Sequence, residues 1–244
     1  MIALAAALLV AAPAGLLVDA ASSLKEAFAE LAQRFERAHP EVRVRFQLAG
    51  SQELRTQIEH GGRADVFASA DLRQLEALHR AGLAGPPRIF ARNQLALVVP
   101  RGNPAGISTL GDLPSAARIV LAAPEVPAGA YADQLLAAAA IHFGAGFRER
   151  VLSRVVSREL NVRQVLTKVA LGEADAGVVY RTDLAAGGDR VEAVAIPADL
   201  NVAAAYPIAA LVEASQPEAA RAFVDLVLSA EGQSVLRAHG FLPP

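Results

Sequence analysis

Apolar and polar residues repeat along this chain with two periods, and the two periods take turns. Residues 16–18 read as a short buried strand. A helix is expected over 23–38, because Leu24, Phe28, Leu31 and Phe35 recur on one face and Pro40 stops it. Val42, Val44, Phe46 and Leu48 then alternate with Arg and Gln, which is a strand pattern. Residues 52–60 read as a helix closed by Gly61-Gly62, 66–68 as a strand, and 72–81 as a helix with Leu75 and Leu78 inward. A strongly apolar strand at 95–99 ends in Pro100-Arg101-Gly102-Asn103-Pro104, a loop dense in breakers. Beyond it, strands are expected at 119–122, 176–180, 191–196 and 208–212, and helices at 128–142, 162–171, 217–228 and 231–239. This βαβα order predicts an α/β fold whose mixed sheets are mostly parallel.

The pattern divides into two lobes, 15–97 plus 204–244 and 98–203, with crossings near 95–100 and 200–207. A cleft between lobes suits a small ligand, and two crossings make a hinge that closes around it. Residues 1–12 form an uncharged apolar stretch, with no Lys or Arg before it, and Ala12-Pro13-Ala14 supplies an A-x-A cleavage signal. Residues 1–14 are therefore expected to be a signal peptide, which would put the rest of the chain outside the cytoplasm, in a periplasm.

Composition narrows the chemistry. The formal net charge is −2 and aromatics are 5% of the 244 residues, with no basic block, so nucleic-acid binding is not expected. Past the N-terminus, no apolar run nears the ~18 residues a spanning helix needs. With no cysteine there is no disulfide, no thiolate metal site, no thiol nucleophile and no lipid-anchored cysteine. His39, His60, His79, His142 and His239 are scattered without an i, i+4 pair, which argues against a metal site. Asp65 and Asp71 flank a strand and read as turn and helix caps rather than as an acid–base pair.

The candidate site lies in four small polar or backbone-exposing segments, each just ahead of a helix: Ala20-Ala21-Ser22-Ser23, Ala49-Gly50-Ser51, Pro127-Ala128-Gly129 and Asn161-Val162. In an α/β sheet such loops gather at the carboxyl ends of strands. Each helix start offers unpaired N–H groups and a partial positive charge, so several aimed at one point hold an anion without Arg or Lys. Taken singly, each serine or asparagine also reads as an ordinary N-cap, and Tyr180 as a core tyrosine.

Taken together, the segments resemble those of the periplasmic molybdate-binding proteins, type II solute-binding proteins of ABC transporters. Ala20-Ala-Ser-Ser-Leu24, Ala49-Gly-Ser51 with Gln57-Ile58, and Ala64-Asp-Val-Phe-Ala-Ser-Ala-Asp71 are similar to the family's opening. Pro124-Glu-Val-Pro-Ala-Gly-Ala-Tyr131 resembles its second-lobe anion loop, and Asn161-Val-Arg163 and Gly177-Val-Val-Tyr180 its remaining ligand segments. Ser229-Ala-Glu-Gly-Gln233 and Gly240-Phe241 are common to solute-binding proteins more widely.

The resemblance implies a two-lobed periplasmic-binding-protein fold and an oxyanion shell of Ser23, Ser51, Ala128, Val162 and Tyr180. Those residues would hold the metal of molybdate or tungstate through its oxygens. Hydroxyls would come from Ser23, Ser51 and Tyr180, and main-chain N–H groups from Ala128 and Val162. Ser22 stands beside Ser23 and leaves the choice of donor open. The resemblance further implies a monomer with no cofactor that passes its ligand to an ABC permease and is not an enzyme. Sulfate or another small oxyanion on the same fold is the first alternative. A hydrolase, or a deaminase of related two-lobed form, is the alternative of another class, although this chain lacks the deaminase's cofactor-bearing cysteine.

Overall fold

A computed structural model describes residues 14–244; the expected leader at 1–14 lies outside them except for Ala14, which opens the first strand. In chain order the elements are β1 (Ala14–Ala21), a 3-10 turn (Ser22–Leu24), α1 (Lys25–Ala38), β2 (Val42–Ala49), α2 (Ser51–Glu59), β3 (Val66–Ala68), α3 (Leu72–Arg80) and β4 (Arg88–Pro100). There follow β5 (Ile119–Ala122), α4 (Pro127–Phe143), α5 (Phe147–Leu152), β6 (Val155–Glu159), α6 (Val162–Ala170), β7 (Ala176–Tyr180), α7 (Leu184–Gly187) and β8 (Val191–Val194). The chain closes with β9 (Ala203–Ala210), α8 (Pro217–Leu228) and α9 (Ala230–Ala238).

The strands run in the order β2-β1-β3-β9-β4-β7-β5-β6, with β8 also on β4. β1 is parallel to β2 and β3, and β5 is parallel to β6 and β7, as βαβ crossovers require. The antiparallel partners are β4 and β9, the two strands that carry the chain across the middle of the molecule. β4 pairs with β9 from Arg88 to Gln94, then with β7 from Leu95 and with β8 from Leu97 to Pro100. One strand therefore belongs to both halves of the sheet, and the change of partner falls between Gln94 and Leu95.

Packing follows the expected apolar faces. Leu24, Phe28, Leu31 and Phe35 are all buried, and Phe28 lies against Phe90, Phe46 and Phe223 at ring distances of 5.7, 6.2 and 5.9 Å. Leu54, Phe67, Leu75 and Leu78 form a smaller cluster under α2 and α3.

Several elements depart from the sequence reading. β4 begins at Arg88 rather than 95, because its first half (Arg-Ile-Phe-Ala-Arg-Asn-Gln) carries polar residues that a hydrophobic run does not flag. β9 covers 203–210, earlier than the expected 208–212, and contains Pro207, which cannot donate to a ladder. The register slips between Ile89 and Ala91 opposite that proline, so an irregularity absorbs the missing N–H inside a central strand. β6 and α5 are not expected from the sequence: β6 is a short, half-buried edge strand ending in Ser-Arg-Glu, and α5 is only 6 residues long.

Candidate functional site

Four of the strands end in the loops singled out above, and each loop turns directly into a helix. β1 leads into the 3-10 turn at Ser22, β2 through Gly50 into α2, β5 through Val126 into α4, and β6 through Asn161 into α6. Among these caps only Asn161 bonds through its side chain to its own helix, accepting from Gln164 N. The first turns otherwise present N–H groups that have no intrahelical partner. Pro127 supplies none, so the first N–H of α4 belongs to Ala128.

These loops surround a small pocket of about 10 Å³, lined by Ala21, Ser22 and Ser23, Ala49 to Ser51, Ala70, Val126 to Ala128, Asn161, Val162 and Tyr180. The structure thus brings Ser23, Ser51, Ala128, Val162 and Tyr180 together, from segments spread over the chain. All five are buried. No lining residue carries a charge, so the field inside comes from helix ends and hydroxyls.

The hydroxyls are set up differently. Ser51 Oγ accepts from Ala70 N at 3.0 Å, leaving its own proton free to donate. Ser23 Oγ lies 3.1 Å from Tyr206 Oη. Ser23 is buried and Ser22 only partly so, although both reach the cavity. Tyr180 Oη, on a residue only 1% exposed, has no hydrogen-bond partner in the protein. A buried hydroxyl without a partner costs about 1–3 kcal/mol. Burial pushes the Tyr180 and Tyr206 phenols well above their ordinary range, so both keep their protons and remain donors.

The two halves meet over the cavity. Gln52 Nε2 donates to Leu160 O at 2.8 Å, and Gln74 Nε2 to Glu125 O at 3.3 Å. Arg163 Nη1 and Nη2 donate to Glu26 on α1 at 3.0 and 2.6 Å, and its Nε to Asp183 at 2.7 Å. Asp183 also accepts from Tyr180 N at 3.1 Å. A Cβ on Gly50 would stand 2.3 Å from Leu160 O, so the approach of the halves requires glycine there.

Sequence reasoning did not find Tyr206, Asn93 or Gly50's close approach, because each acts through a neighbour distant in the chain. Asp71 caps α3 and binds Arg73, while Asp65 accepts from Leu17 N, Ser215 and Gln216, so both carboxylates serve as structural caps. Among the described residues no group of three or more His, Cys, Asp or Glu could hold a metal ion.

Comparison with known proteins agrees with this architecture. The chain is 40% identical over 231 residues to the molybdate-binding protein ModA of Mycobacterium tuberculosis H37Rv, covering 94% of this chain and 85% of that one. In fold it is similar to the periplasmic molybdate-binding protein of Azotobacter vinelandii (TM-score 0.79, 21% identity, 94% of this chain and 99% of that one). It is likewise similar to the sulfate-binding protein SubI of M. tuberculosis (TM-score 0.82, 20% identity, 94% and 87%). Residues 16–242 match the family model for bacterial extracellular solute-binding proteins, and the chain belongs to that family.

Proposed function

We infer that this protein binds molybdate or tungstate outside the cytoplasm, by closing two lobes over a site made only of donors, and delivers it to an ABC import permease. The observation that carries this reading is the Tyr180 hydroxyl, buried without a partner in a small uncharged cavity ringed by helix starts. An anion with acceptor oxygens on every side satisfies that hydroxyl, the Ser23 and Ser51 protons, and the free N–H groups of Ala128 and Val162 together. A fully ionised tetrahedral dianion suits such a shell. A protonated anion brings an O–H that the cavity does not accept, at a cost of about 1–3 kcal/mol. The similarity to ModA supports molybdate as the member of this class.

The lobes are 15–97 plus 204–244 and 98–203, hinged where β4 changes partners and where the chain returns into β9. No side chain around the cavity supplies a nucleophile paired with a base, which favours a carrier over a catalyst. A monomer released by cleavage near Gly15 fits this role. Sulfate remains the second reading, because the donor set suits any such dianion and only the size of the closed cavity discriminates.

Thermal unfolding with molybdate, tungstate, sulfate and phosphate in parallel tests the assignment. Ligand at a thousand times its dissociation constant adds about 4 kcal/mol of stability. Stabilisation by molybdate and tungstate is the expected result. Stabilisation by sulfate alone would replace the ligand, and no response to any of the four would overturn the site.

A further inference from the structure

We propose that Tyr206, held by Asn93, is a positioning residue that fixes the direction of the Ser23 hydroxyl and keeps its proton for the ligand. The inference rests on the oxyanion reading of the cavity. Tyr206 does not line that cavity. It is fully buried in β9, its ring packed edge-on against Phe90, Tyr180 and Phe241 at 6.3, 5.6 and 5.4 Å. Its hydroxyl reaches the cavity through Ser23, and its ring supports Tyr180 by packing alone.

That shared bond has an ambiguous direction when viewed alone, since each hydroxyl is both donor and acceptor. The surroundings remove the ambiguity. Asn93 Oδ1 accepts from Gln94 N at 2.9 Å, which fixes which end of the amide is nitrogen. Asn93 Nδ2 then donates to Thr182 Oγ1 at 2.8 Å and to Tyr206 Oη at 3.4 Å. Of the two partners of Tyr206 Oη, the amide nitrogen of Asn93 only donates and Ser23 Oγ can accept, so Tyr206 directs its single proton to Ser23 Oγ. Ser23 accepts that proton and its own is left for the cavity. The order of donation runs Asn93 to Tyr206 to Ser23 to ligand.

The consequence is selectivity rather than affinity alone. A free serine could turn and accept from a protonated oxyanion such as dihydrogen phosphate. A serine with one lone pair engaged by Tyr206 and its proton aimed at the cavity is less able to do so, and the site then favours anions without protons. Thr182 comes from the segment that follows β7, so the relay is completed where the two halves meet.

Calorimetric titration of the whole chain tests this, with molybdate and with inorganic phosphate at pH 6 as probes. Tyr206→Phe is expected to weaken molybdate binding by about 3- to 10-fold and to narrow the molybdate-to-phosphate preference. In a Ser23→Ala background the same substitution should change molybdate affinity less than about 2-fold, since the group it acts through is gone. Equal losses in both backgrounds, or no loss in either, would overturn the inference and leave the oxyanion site standing. Failure of the unsubstituted protein to bind molybdate at all would instead overturn the oxyanion reading. Should Tyr206→Phe not fold, Asn93→Ala reads the same relay: a smaller loss that vanishes in the Ser23→Ala background supports it, and a loss that persists overturns it.

Discussion

Arg163 and Glu26 lie 137 positions apart in the chain, yet the guanidinium of one grips the carboxylate of the other through two hydrogen bonds of 3.0 and 2.6 Å. The same guanidinium binds the fully buried Asp183, whose second oxygen holds the backbone of Tyr180. The contact closing the cleft on one side is thus mechanically continuous with the tyrosine at the cavity.

The two partners of Arg163 should respond differently. Glu26 is half exposed, so Glu26→Gln is expected to cost stability little, about 0–1 kcal/mol, while weakening ligand binding more at low salt than at high. Arg163→Ala leaves Asp183 buried without its cation, and should destabilise the fold by about 3–5 kcal/mol. Chemical denaturation together with titration at two ionic strengths separates the two effects.

Tyr180→Phe removes a hydroxyl that no protein group satisfies. The open ligand-free protein hydrates this hydroxyl, so its stability is expected to change by less than about 1 kcal/mol, while oxyanion affinity falls about tenfold or more. Denaturation and titration of the same preparation check both. A larger loss of stability would mean that the hydroxyl has a protein partner in the free protein.

Gly50→Ala places a Cβ against Leu160 O when the halves meet; the flexible Gln52 amide, also in its way, can swing aside, and the backbone at Gly50 (φ −67°) accepts alanine. Ligand-free stability should therefore change by less than about 1 kcal/mol, with binding impaired and the particle remaining open in small-angle scattering on addition of ligand.

Asp19 lies buried in β1, its Oδ1 without a partner, and burial pushes its carboxyl up to about 7. A raised carboxylate favours the fold when protonated. Its contribution is full below pH ~4, declines as pH rises, and is lost above about 7. Asp183, pushed up to about 6 chiefly by burial against the lowering influence of Arg163, adds a change of the same sign. Urea unfolding at pH 5 and pH 8 should show the loss, and Asp19→Asn should remove most of it.

Short-range physics was legible in the chain. The amphipathic spacing of Leu24, Phe28, Leu31 and Phe35, and the small residues before each helix, depend on neighbours within a turn or two, and both appeared where the pattern placed them. The joint use of four strand-to-helix loops followed from the rule that such loops collect on one side of a parallel sheet. β9 was expected too late in the chain because Ala-Ala-Ala-Tyr-Pro-Ile-Ala-Ala lacks a strong alternation, and its proline is tolerated only through an irregularity in β4.

Strand order was decided by the tertiary structure alone. The pairing of β9 between β3 and β4 carries Tyr206 to Ser23 across 183 positions and sets Asn93 beside Tyr206. Which way a serine proton points, and whether a tyrosine hydroxyl finds a partner, depend on atoms a few ångströms away that the chain brings from its far end. Local sequence determines what each loop can donate, because N–H groups and hydroxyls are properties of single residues and helix starts. Whether those donors converge on one small volume depends on packing, since direction and burial exist only once the sheet has formed.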